Sequence, residues 1–191
     1  MGMSKRKPKK LPTFLRDDEP ERLLRATKTL RDRVLLMTLL MSGIRVSEAS
    51  RLRVEHVDFT RGILWVRCGK GAKDRAGPIP KRLAGPLRAL IAARTKGPVF
   101  ISRKGNALSP RAIQELVKKT AVAAGFPDAL APRRFHPHAL RGIFCVRLLE
   151  AGVPIHEVRD LMGHSSIGVT NSYANCSPGR LQDAIDRPYA S

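Results

Sequence analysis

Apolar residues recur at helical spacing along most of the chain and change to strand spacing only once. Leu35, Leu36, Leu39 and Leu40 fall on one helical face. They predict a helix from about Leu30 to Ser42, which Gly43 ends. Ahead of it, Asp17–Glu19 before Pro20 and Leu23-Leu24 reads as a helix start with an acidic first turn. Val46–Leu52 reads as a third, short helix. The texture then changes. Val57–Phe59, Ile63–Cys68 and Arg75–Ile79 are predicted as three short strands, with turns at Arg61-Gly62 and Gly69–Lys73. Pro78 confines the third strand to an edge or its end. Helices are expected again at Arg82–Ala93, Ser109–Ala124, His138–Ala151, Ile155–Leu161 and about Ile167–Tyr173. The fold class expected is therefore mostly α with a small three-stranded antiparallel sheet (α+β). Order is expected to begin near Thr13, after a basic, disordered tail over residues 1–12. One domain spans 13–180, and 181–191 form a C-terminal tail.

Charge changes this picture more than composition does. Hydrophobic residues make up 42% of the 191, enough for a core. Lys and Arg number 36 against 16 Asp and Glu, a formal net charge of +20. Such an excess opposes compaction, and a polyanion relieves it by releasing counterions. Nucleic acid is the leading partner, and an anionic membrane is the rival. The longest apolar runs, such as Val34–Met41, are too short to span a bilayer, and no signal peptide is visible. Cys68, Cys145 and Cys176 are odd in number and widely spaced. They read as reduced thiols in a cytoplasmic protein.

Four clusters carry chemistry. In Ser42-Gly43-Ile44-Arg45-Val46-Ser47-Glu48, Glu48 stands three residues after Arg45, where its carboxylate can hold a guanidinium for bidentate phosphate contact. Alone, such a pair is usually a surface ion pair. Gly69-Lys70-Gly71-Ala72-Lys73-Asp74-Arg75 places lysines at a flexible strand turn without the Gly-Lys-Ser/Thr ending of a nucleotide-binding loop. Alone, it is an ordinary basic hairpin. In His136-Pro137-His138-Ala139-Leu140-Arg141, His138 and Arg141 share a helical face. His136 and His138 lack the further Cys, Asp or Glu that a metal site needs, so no metal is expected. Finally, Leu161-Met162-Gly163-His164-Ser165-Ser166 precedes Tyr173, one of two tyrosines; the other is Tyr189. A tyrosine by itself is more often a packing residue.

The order and spacing of these clusters say more than any one of them. The sequence resembles the tyrosine recombinase (phage integrase) family from about Thr13 to Arg180. That family shows, in order, Gly-x-Arg-x-Ser-Glu, a hairpin Lys, His-x-x-Arg, Leu-Gly-His-Ser and Tyr. The resemblance assigns catalytic roles to Arg45, Lys70, His138, Arg141, His164 and Tyr173, with Glu48 and Lys73 in support. It implies a recombinase catalytic-domain fold and a site-specific recombinase that joins DNA through a 3′-phosphotyrosine, with no cofactor. It also implies double-stranded DNA as partner, a homotetramer on that DNA, and a cytoplasmic location at the nucleoid. An accessory DNA-bending protein is a further candidate partner. The C-terminal tail is a candidate protomer-exchange segment, with packing on its own domain as the alternative.

Three positions depart from the family pattern. Gly142 stands where a second His is common, Met162 where Leu is usual, and Gly77 where an apolar residue is usual. The length resembles that of the short recombinases that invert fimbrial promoter segments, or of a catalytic domain from a longer parent. Two other readings stay open at this stage. One is a type IB-like nicking-closing topoisomerase using the same site. The other is a non-catalytic basic nucleic-acid-binding protein.

Overall fold

A computed structural model describes residues 18–67, 74–126 and 137–163. Among the described residues seven α-helices and one sheet follow in order: α1 (Glu19–Arg25), α2 (Leu30–Ser42), α3 (Val46–Ser50), β1 (Val57–Asp58), β2 (Ile63–Val66), β3 (Arg75–Pro78), α4 (Lys81–Ile91), α5 (Pro110–Ala123), α6 (Pro137–Glu150) and α7 (Ile155–Met162). The expected α+β class is found.

α2 is the hub. Thr29 caps it, its hydroxyl accepting from the Asp32 N–H at 3.1 Å, and every residue from Val34 to Leu40 is buried. A helix apolar on all sides must be enclosed on all sides. α1, α3, α4 and α6 all pack on α2. Leu83, Leu87 and Ile91 give α4 a single buried face, and Ile113, Val117 and Ala121 do the same for α5. α6 and α7 share a smaller cluster of Cys145, Leu149, Val158 and Met162. Burial pushes the Cys145 thiol up to about 11, which leaves it an inert core group.

The antiparallel sheet has the order β1-β2-β3, with Ile63 opposite Pro78 and Val66 opposite Arg75. β3 lies at the edge, as Pro78 requires. Leu64 and Val66 face inward while Trp65 and Arg67 face outward. In β3 the more covered positions are Arg75 and Gly77. Gly77 is small for a reason: a Cβ there would stand 3.1 Å from Leu161 Cδ1, because α7 packs on β3.

β2, β3, α5 and α6 end one or two residues earlier than expected, and β1, α3 and α4 also end early. β1 stops at Asp58 because its carboxylate accepts the N–H groups of Thr60 and Arg61, at 3.0 and 2.9 Å, and turns the chain. α3 stops at Ser50, and Leu52 is buried beyond its end. α4 stops at Ile91 because Ala92 takes a positive φ of 51°. α7 runs one residue further than expected, to Met162. The helix expected at about Ile167–Tyr173 lies outside the described residues.

Candidate active site

Arg45 of the first chemical cluster and Arg75 at the end of the second meet the C-terminus of α7. Gly43 ends α2 in the left-handed conformation, and a Cβ there would run into the Phe144 ring of α6. That turn sends Arg45 into the N-cap of α3 with an extended backbone. Glu48, three residues on, then accepts the Arg45 backbone N–H at 2.6 Å, the reciprocal half of a capping box. It also takes Nη1 of the Arg45 side chain at 3.0 Å. The Arg–Glu spacing seen in the sequence is therefore a built clamp, with Glu48 only 5% exposed.

Arg75 completes it. Its two terminal nitrogens donate to the two Glu48 oxygens, each at 2.8 Å, as a planar fork. Arg75 stands at the end of the second cluster, outside the six residues to which the family motifs assign catalytic roles. The available signal was strand alternation: a side chain two residues from Gly77 on the covered side of β3 has to find a buried anion.

The C-terminus of α7 organises all three arginines. A helix ends with carbonyls that have no partner inside it. The Gly163 cap N–H serves Asp160 and Arg159. The next three carbonyls each take a different guanidinium. Arg75 Nε donates to Leu161 at 3.0 Å, Arg141 Nη2 donates to Met162, and Arg45 Nη2 donates to Gly163 at 3.0 Å. Arg141 spans back across the site, its Nη1 donating to the Gly43 carbonyl. Both helix-ending glycines are thus tied to arginines. Gly163 has φ +64°, and a Cβ on it would meet Arg75 Nη1 at 3.0 Å.

Exposure separates the two expected catalytic arginines. The Arg45 side chain is 38% exposed, while Arg141 is only 4% exposed. His138 is exposed in the first turn of α6, three residues before Arg141 on the same face. Lys70, Lys73, His164 and Tyr173 lie outside the described residues, as does His136. Gly163 is the residue immediately before His164, so the carbonyl-held end of α7 leads directly into it. Met162 is fully buried, and Gly142 lies buried within α6.

The charges suit an anion. Two guanidinium groups, those of Arg45 and Arg75, share the one Glu48 carboxylate, and Arg141 donates to the Gly43 and Met162 carbonyls. Burial pushes the Glu48 carboxyl up, but hydrogen bonds from Arg75 and Arg45 outweigh it and hold the group down at about 2, against an ordinary 4.5. Ionised Glu48 therefore stabilises the fold fully above pH 4.5, and that contribution is lost as pH falls toward 2. Unfolding free energy should drop by up to about 3 kcal/mol over that window. In Glu48→Gln the fall should be shallower, with a lower starting stability; parallel pH profiles from denaturant titrations would contradict this.

Away from this cluster, a cleft of about 650 Å³ is lined by residues that include Ser50, Arg51, Arg53, Arg67, Gly105 and Asn106. Arg53 and Arg67 are ion-paired there with Glu55 and Asp74. No helix among the described residues is long and apolar enough to cross a membrane.

Comparison with known proteins matches residues 13–180 to the model of the Phage integrase family. The chain is similar to tyrosine recombinase XerA of Pyrococcus horikoshii, 34% identical over 185 residues, which make up 94% of this chain and 62% of the relative. It is also similar to tyrosine recombinase XerC of Xanthomonas axonopodis pv. citri, 37% identical over 187 residues, covering 94% of this chain and 59% of that one. The chain thus spans about 60% of the length of these curated relatives. Its fold is like that of a crystal structure of XerA recombinase, with a TM-score of 0.80, 22% identity, and coverage of 99% of this chain and 67% of the other. It is also like XerH site-specific recombinase bound to a palindromic difH substrate, with a TM-score of 0.73, 24% identity, and coverage of 93% and 53%.

Proposed function

The chain belongs to the phage integrase family, and from that premise we propose that it is a tyrosine-type site-specific DNA recombinase acting through a 3′-phosphotyrosine intermediate. One observation carries the reading: Arg45 and Arg141, far apart in sequence, are held on consecutive carbonyls at the end of α7, one residue before His164. A non-catalytic basic protein has no need to hold guanidinium groups so rigidly at one point.

The chemistry follows from the groups. The Tyr173 oxygen attacks a backbone phosphorus, and the bond from phosphorus to the 5′-oxygen breaks. In the transition state more charge gathers on the non-bridging oxygens. Arg45 and Arg141 stabilise that charge, and His164 adds a hydrogen bond. His138 accepts the phenolic proton, which leaves at an unperturbed pKa of about 10. Lys70 protonates the departing 5′-oxygen, with Lys73 as its substitute. The new linkage keeps the energy of the diester, so the 5′-hydroxyl of another strand can reverse the step and reseal the DNA. Two duplexes present four strands, which calls for four nucleophiles and hence a homotetramer. A DNA-bending protein would assist that assembly, and the protein would act in the cytoplasm, at the nucleoid.

The test uses a library of duplexes, each carrying one nick beside a random sequence, mixed with the chain in EDTA. Adducts that survive denaturing detergent are isolated and sequenced. Recovery of one sequence class bearing inverted repeats is expected; no adduct, or an adduct that forms only with added magnesium, would overturn the mechanism. Exchange between two differently labelled copies of the recovered site distinguishes a recombinase from a nicking-closing topoisomerase.

Binding should depend steeply on salt, because a net charge of +20 supplies the attraction. If six to ten phosphates are neutralised, affinity should fall by roughly 10³–10⁵ between about 50 and 200 mM salt. Fluorescence anisotropy at several salt concentrations measures the slope, and a flat profile would remove charge as the driver.

A further inference from the structure

Arg75 was absent from the expected catalytic set, yet it touches both halves of the site. We propose that Arg75 is a positioning residue: by forking onto Glu48 and bonding the Leu161 carbonyl, it sets the Arg45 guanidinium and the end of α7 in one fixed relation. This rests on the recombinase reading given above.

The argument starts from geometry. Arg45 is more than a third exposed, and a side chain so placed would sample several rotamers on its own. Its anchor is Glu48, whose Oε1 accepts from Arg45 Nη1 and whose Oε2 accepts from the Arg45 backbone N–H. A carboxylate on a short helix can still turn about its own side-chain bonds. Arg75 prevents that by engaging both oxygens at 2.8 Å, which fixes the plane of the carboxylate and with it the direction offered to Arg45. The third bond, from Nε to Leu161, ties the same guanidinium to α7 at 3.0 Å. The Arg75 side chain is only 10% exposed, so it offers little edge to a ligand. It comes from β3, Glu48 from α3 and Leu161 from α7. One planar group therefore joins three elements that lie far apart in the sequence.

Such a residue acts on rate through the placement of another. A misplacement of about 1 Å at a reacting site costs on the order of 10² in rate. Arg75→Lys keeps the charge beside Glu48 but cannot span both oxygens and a carbonyl as a plane. Arg75→Gln keeps one donor and removes the charge.

The test is single-turnover cleavage of a saturating nicked duplex taken from the adduct library, with DNA affinity measured in parallel. Arg75→Lys is expected to cleave roughly tenfold to hundredfold more slowly at unchanged affinity, and Arg75→Gln more slowly still. The deciding readout is a double-mutant cycle with Arg45→Lys. If Arg75 works through Arg45, Arg75→Lys should cost less than about threefold once Arg45 is lysine. Equal losses in both backgrounds would overturn the proposal, as would a rate within twofold of wild type in the single variant. Loss of the folded circular dichroism spectrum in both variants would overturn it too, because the residue would then serve stability alone. Absence of any adduct from the wild-type chain would instead sink the recombinase reading and this inference with it.

Discussion

Tyr173→Phe should abolish covalent attachment to DNA while leaving binding within about twofold of wild type. The change removes one oxygen and keeps the ring, so whatever packing the side chain contributes is retained. The attacking atom alone is lost, and a reaction without its nucleophile has no slower version of the same path. The chain contains two tyrosines, which makes the control direct: Tyr189→Phe should form adduct normally. Denaturing gels of each variant on a nicked duplex carry the measurement. An adduct that persists in Tyr173→Phe and disappears in Tyr189→Phe would reassign the nucleophile. The phosphate would then need another route to the arginine cluster.

The second large effect belongs to Arg141→Lys, and it should differ in kind from Arg45→Lys. Losing one preorganised donor from such a site costs about 10²–10³ in rate, so both variants should be crippled in single-turnover cleavage. Their stabilities should diverge. Arg141 is buried and donates from its two terminal nitrogens to the Gly43 and Met162 carbonyls. A lysine ammonium is one point and cannot reach both. A buried carbonyl left without a donor costs about 1–3 kcal/mol, so thermal unfolding should come several degrees earlier. Arg45 is partly in solvent, and a lysine there can still pair with Glu48, which limits its stability loss to about 1 kcal/mol. Equal unfolding temperatures for the two variants would mean that the Arg141 contacts hold nothing together. A near-normal rate in either would make that arginine a backbone-positioning contact.

Much of the fold was legible because local signals agreed with one another. Thr29 and Ser109 cap α2 and α5 where the apolar periodicity begins, and Gly43 stops α2 where that periodicity ends. The misses are local exceptions that periodicity does not encode. Asp58 folds back on the next two N–H groups, and Ala92 takes a conformation that alanine rarely adopts. In the site, Arg45 and Glu48 could be paired because they are neighbours on a helix. Arg75 could not, since its partner lies 27 residues away and reaching it depends on how β3 meets α3. The carbonyls of Gly43, Leu161, Met162 and Gly163 were invisible for a different reason. Every residue has one, so no side chain marks which will be used.

That last point bears on how such a site can drift over generations. Since the anchoring oxygens at 161–163 belong to the main chain, exchanges of side chain at Leu161 and Met162 leave them standing. Leu and Met trade places there as lipophilic filler of similar volume. Insertions and deletions are another matter. Removing one residue from α7 would rotate each following carbonyl by about 100° and withdraw it by about 1.5 Å. All three arginines would lose their seats together. Lineages of this domain should therefore tolerate volume-conserving apolar exchanges at 161 and 162 while the length of α7 stays frozen.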